Sequence, residues 1–91
     1  MNDCQRIQFL SDKLLNSTTE QEKLSAKNEM IRLCQDIPGL DEEFKSIEAK
    51  KVEEDLDLFL KNPAAHKNIL ETLRISMKQL FYCPDVKSIS R

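Results

Sequence analysis

From His66 to Leu80 the side chains His66, Leu70, Leu73, Met77 and Leu80 recur at intervals of four, three, four and three. Only a helix of 3.6 residues per turn gathers such a spacing on one face, and Ile69 and Phe81 widen that face. A stripe this apolar must be buried against something, and the rest of the chain has to supply it. It cannot readily supply a sheet. One glycine and three prolines in 91 residues leave little of the turn chemistry that hairpins consume.

The remaining residues divide into three more helical segments. The first runs from about Asn2 to Leu15, with Cys4, Ile7, Leu10 (or Phe9), Leu14 and Leu15 at helical spacing and Asn2 or Asp3 as cap. Ser17, Thr18 and Thr19 each precede Glu20, Gln21 or Glu22 by three residues, so a capping box in one of three registers starts a second helix over about 20–36. Its apolar set is Leu24, Met30, Ile31, Leu33 and Cys34, interrupted by Lys27. Pro38 and Gly39 end it. Asp41 caps a third helix, expected over 41–61, with Glu42 and Glu43 in the first turn where the helix dipole favours anions. Here Phe44 and Ile47 point roughly 120° away from Val52, Leu56 and Phe59 at about 100° per residue. That divergence predicts either a bend near residues 48–51 or two halves packed on different neighbours. Asn62-Pro63 is a cap followed by a residue suited to a first helical position, so the fourth helix is expected over 63–82, stopped by Cys83-Pro84. Residues 85–91 are expected to form a flexible tail, with Val86 and Ile89 docking loosely.

Short connections favour antiparallel neighbours, so the expected fold is all-α: one domain, a small four-helix bundle running up, down, up, down. No repeat of solenoid length is present. No apolar run approaches the roughly 20 residues that span a bilayer, and the N-terminus has neither the basic nor the apolar region of a secretory leader. Cys4, Cys34 and Cys83 are odd in number and far apart, which predicts three free thiols in a reducing cytoplasm.

Signatures of chemistry are lacking. His66 is the only histidine and reads as a half-buried residue closing one end of the core. No close Cys or His pair presets a metal site, so no metal or cofactor is expected. Cys4 and Cys34 read as core packing, whereas Cys83, at a helix end, is the one candidate for an exposed reactive thiol. Asp55 and Asp57 make an Asp-x-Asp with no glycine-bearing calcium loop around it. There is no phosphate loop, nucleophile elbow or zinc-protease helix, so an enzyme is not expected.

Charge distribution says more than its total. The chain carries −2 overall, yet residues 41–57 hold eight acids against Lys45, Lys50 and Lys51. Residues 58–91 hold six bases, Lys61, Lys67, Arg74, Lys78, Lys87 and Arg91, against Glu71 and Asp85. One reading pairs an acidic third helix internally with Lys67, Arg74 and Lys78 of a basic fourth. The other makes Glu42, Glu43, Glu53, Glu54, Asp55 and Asp57 a docking face that meets a basic protein partner. The expected function is accordingly a small protein–protein interaction module: a regulator, inhibitor, immunity-type protein or chaperone. The alternative is nucleic-acid binding through Lys67, Arg74, Lys78 and the Lys87/Arg91 tail. It is the less expected, because the chain lacks a net basic excess and the short second helix of a helix-turn-helix.

Overall fold

Each helix begins where a short polar side chain replaces the missing intrahelical hydrogen bonds. In the computed structural model, which describes residues 2–83, Asn2 accepts from Gln5 N at 2.8 Å while Gln5 returns a bond to Asn2 N, and α1 runs Asp3–Asn16. Thr19 is the residue that caps α2 (Glu20–Gln35), accepting from Glu22 N, which resolves the three-register ambiguity. Asp41 accepts from Phe44 N at 2.8 Å and opens α3 (Glu42–Lys61). Between α2 and α3 the buried Ile37 anchors the connection, and Gly39 at φ 84 takes the left-handed conformation that the turn requires.

The fourth helix departs from expectation at both ends. Asn62 does cap, through its side chain to Ala65 N and its carbonyl to Ala65 and His66 N, but the result is a single turn over residues 63–66. Helix α4 starts afresh at Lys67 and ends at Leu80. The reason is directional. Helix α3 continues to Lys61, and a helix starting at Pro63 would leave no residues in which to reverse the chain; the extra turn makes that reversal. At the other end, Tyr82 N donates to Gln79 O and Cys83 N to Lys78 O, with Tyr82 at φ 57. This is a Schellman stop whose left-handed position is filled by tyrosine instead of glycine.

The helices pack in a ring, α1 on α2, α2 on α3, α3 on α4 and α4 back on α1. Each neighbouring pair is antiparallel. Arg6, early in α1, reaches Glu29 in the second half of α2; Lys78, late in α4, reaches Gln8 of α1. Asp55, in the second half of α3, lies beside Asn68 and Thr72 at the start of α4. Leu24 near the start of α2 shares a shallow groove with Leu60 and Pro63 at the end of α3. The up-down-up-down bundle read from the linkers is therefore the fold.

Its core is drawn from every helix: Ile7, Leu10 and Leu14; Ala26, Met30 and Cys34; Ala49, Val52, Leu56 and Phe59; Leu70, Leu73 and Met77. Leu70, Leu73 and Met77 of the fourth-segment stripe are buried as their spacing implied, while His66, Ile69, Leu80 and Phe81 are half-buried. Phe9, Leu15 and Leu24, counted among the apolar faces, are exposed instead.

The cysteine expectation is corrected. Cys4 and Cys83 are joined by a disulfide, with their Cα atoms 5.8 Å apart across a sequence separation of 79. The antiparallel pairing of α1 with α4 brings the two ends together, and the Schellman stop turns Cys83 inward, so that it is buried and bonded instead of exposed and reactive. Only Cys34 is a free thiol, packed in the core as expected.

Candidate functional site

The third helix has two apolar faces, and the bundle uses only one. Projected at about 100° per residue, the buried Ala49, Val52, Leu56 and Phe59 cluster on one side of α3. Phe44, Ile47 and Leu58 fall together about 130° away by the same projection. They are 49%, 56% and 41% exposed. Helix α3 runs unbroken over 20 residues, and Phe44 and Ile47 stand exposed on it instead of packed in the core. Leu58, which the sequence reading placed on neither face, aligns with them when projected in the same way. That projection was the signal available in the sequence.

Charge on α3 is arranged around this line. Of the six predicted acids, Glu43 and Glu54 project to one side of the exposed stripe and Asp55 to the other. Glu42, Glu53 and Asp57 project roughly 110–170° from its centre at the same 100° spacing. The six therefore do not form one face. Ion pairing separates them further. Glu42 is bonded to Lys45 at 3.6 Å, and Asp57 to Lys27 of α2, whose side chain is largely covered. Among the described residues no ion pair holds Glu43, Glu53, Glu54 or Asp55. Lys50, Lys51 and Lys61 are exposed cations of this helix, and Lys51 occupies the register position between Ile47 and Leu58.

The basic residues of α4 do not answer the acids of α3. Arg74 bonds Glu71 of its own helix at 3.0 Å and Gln8 of α1 at 3.3 Å. Lys78 is buried and donates to the same Gln8 oxygen at 2.8 Å. Lys67 is exposed. The internal α3–α4 pairing expected from the charge halves is thus not made among the described residues, because Arg74 and Lys78 turn toward α1. The same geometry leaves Lys67 as the freely exposed member of the proposed nucleic-acid stripe. Lys87 and Arg91, with the rest of the expected tail 85–91, lie outside the described residues.

Burial pushes the Cys34 thiol up to about 12, and the nearby Glu48 carboxylate adds to the shift. This is the environment of an inert packing thiol, since nucleophilicity resides in the thiolate. His66, half-buried at the start of α4, makes no side-chain cap bond. Among the described residues no three His, Cys, Asp or Glu side chains gather into a metal-binding group. No helix there is long and apolar enough to cross a membrane. Comparison with protein-family models, curated proteins and solved structures finds no match.

Proposed function

We propose that this chain is a protein-interaction module, and that its docking face is the outer surface of α3. One observation carries the reading: Phe44, Ile47 and Leu58, all large and apolar, stand exposed in line on a helix whose other apolar face is already buried. Singly exposed apolar residues are ordinary on a monomer, but an aligned set rimmed by charge is the pattern of a binding surface. Charges of both signs rim the line, Glu43 and Glu54 with Lys51 and Lys61, and complementary charge on a partner speeds encounter and rejects mismatched competitors. Action as a regulator or inhibitor follows from binding of this kind without chemistry of its own. As to compartment, the cytoplasmic reading leaned on three free thiols; a Cys4–Cys83 bridge supports an oxidising compartment instead.

The test is differential capture. The wild-type chain and an Ile47→Glu, Leu58→Glu variant are immobilised, exposed to the same host extract, and the retained proteins quantified by mass spectrometry. A protein held by the wild type and lost from the equally folded variant is expected. Identical retention by both would refute the reading.

A further inference from the structure

We propose that Asn16 is a site of N-linked glycosylation, the attachment of an oligosaccharide through its side-chain amide. The inference rests on the oxidising compartment read from the Cys4–Cys83 bridge, since a lumen that forms disulfides is where such transfer takes place.

Asn16-Ser17-Thr18 is the acceptor pattern: asparagine, any residue but proline, then a hydroxyl residue. Asn2, Asn28, Asn62 and Asn68 have Cys4, Met30, Ala64 and Leu70 at the third position, and Cys4 is bound in the bridge, so the chain offers one such site. The fold presents it. Asn16 is the last residue of α1, and Ser17 leaves the helix in an extended conformation at φ −70 and ψ 141. Asn16 and Thr18 are exposed. Capping of α2 falls to Thr19, so Thr18 is not committed to the helix start. Among the described residues no side-chain hydrogen bond engages Asn16, Ser17 or Thr18. These three residues border an open depression with Phe9 and Lys13, which leaves room for a sugar beside the exposed Phe9 ring. A glycan is bulky and polar and has to stand at such a surface turn.

In the transfer, Nδ2 of Asn16 forms a bond to the anomeric carbon of an oligosaccharide carried on a lipid diphosphate. The bond from that carbon to the diphosphate oxygen breaks, and its electron pair leaves with the lipid diphosphate. A base of the host's transferase takes the amide proton, and no oxidant or reductant is consumed. Thr18 supplies the hydroxyl that the transferase reads beside the amide. The ring order sets α1 diagonally across from α3, so a glycan at the α1–α2 turn leaves the outer face of α3 open for docking.

The test uses the chain isolated from its host without reductant. Its intact mass should exceed that of the sequence by whole hexose and N-acetylhexosamine units. Peptide N-glycosidase in heavy-oxygen water should remove the excess and leave residue 16 as an aspartate carrying the heavy oxygen, while an enzyme-free control keeps the sugar. Thr18→Ala, expressed in the same host, should lose the glycan, and Thr18→Ser, which preserves the hydroxyl, should retain it on a fraction of the chains. An unchanged glycan mass on Thr18→Ala would overturn the proposal, because the sugar would then sit elsewhere. A bare Asn16 in the host protein would overturn it too, and alkylation under denaturing conditions tells the two causes apart. One reactive thiol with a bare Asn16 leaves the oxidising compartment standing and sinks the glycan alone. Three reactive thiols with a bare Asn16 take down both.

Discussion

Breaking the Cys4–Cys83 bridge should be the most damaging single chemical change available to this bundle. The bond closes a loop across a separation of 79 residues, almost the whole chain. Loop-closure entropy then predicts a loss of about 4.5 kcal/mol on reduction, since the constraint on the unfolded chain disappears. A domain of this size has a total stability of about 5–14 kcal/mol, so the loss removes a third or more of it. The assay is a pair of urea melts, one of oxidised protein and one of a Cys4→Ser, Cys83→Ser variant. With a slope of about 1–1.5 kcal/mol per molar urea for a small domain, the midpoint should fall by about 3 M or more. The slope should rise as well, because the uncrosslinked chain exposes more surface on unfolding. Intact mass without reductant should be two hydrogens lighter than with it, and alkylation under denaturing conditions should then mark one thiol. A midpoint shift below about 0.7 M, less than 1 kcal/mol on that slope, would refute the entropic reasoning. Three alkylated thiols in unreduced protein would refute the bridge itself.

Three further outcomes follow. Leu73→Ala, at a buried mid-stripe position of α4, should cost about 2–5 kcal/mol in the same melt; a loss under about 0.5 kcal/mol would show that this stripe is not the core. Tyr82→Gly should stabilise the fold by about 1 kcal/mol, because a left-handed non-glycine residue is strained by about that amount and the side chain, 80% exposed, gives up little packing; a drop in midpoint would contradict the Schellman assignment. Cys34 should resist a thiolate-directed reagent in the native protein at pH 8 and react fully on denaturation. Its folded pKa lies above the unfolded value of 9.0, so its contribution to stability is complete below pH 9 and declines as pH rises from there toward 12. Cys34→Ala should therefore flatten the alkaline fall in stability, and an unchanged slope would argue against a buried neutral thiol.

Much of the bundle was legible because it is local. A cap involves residues three apart, so Asn2, Thr19 and Asp41 could be identified as candidates from their neighbours alone. A stripe involves one helical period, so Leu70, Leu73 and Met77 announce their burial without knowledge of what covers them. Short linkers imply antiparallel neighbours, and from that the topology follows. Where the chain had to reverse between α3 and α4, local preference at Pro63 yielded to a constraint set by two helices at once.

The candidate site is different in kind. A sequence shows that Phe44 and Ile47 diverge from Val52 and Leu56; whether a neighbour lies on that side depends on how four helices close into a ring. The ring places α2 and α4 on the other side, and the second face is left in solvent. Charge behaves likewise. Composition shows an acidic stretch beside a basic one, but Arg74 and Lys78 reach Gln8 of α1 because α4 presents them there. The disulfide is the extreme case. Nothing local relates Cys4 to Cys83; only the return of α4 along α1 reduces 79 residues of separation to bonding distance. Periodicity and caps act over one or two turns of chain, so the sequence by itself determined the helices, their buried stripes and their order. Pairings between distant residues cost loop entropy that only the assembled core offsets, so the bridge, the Gln8 contacts and the outward face of α3 were decided by the tertiary structure.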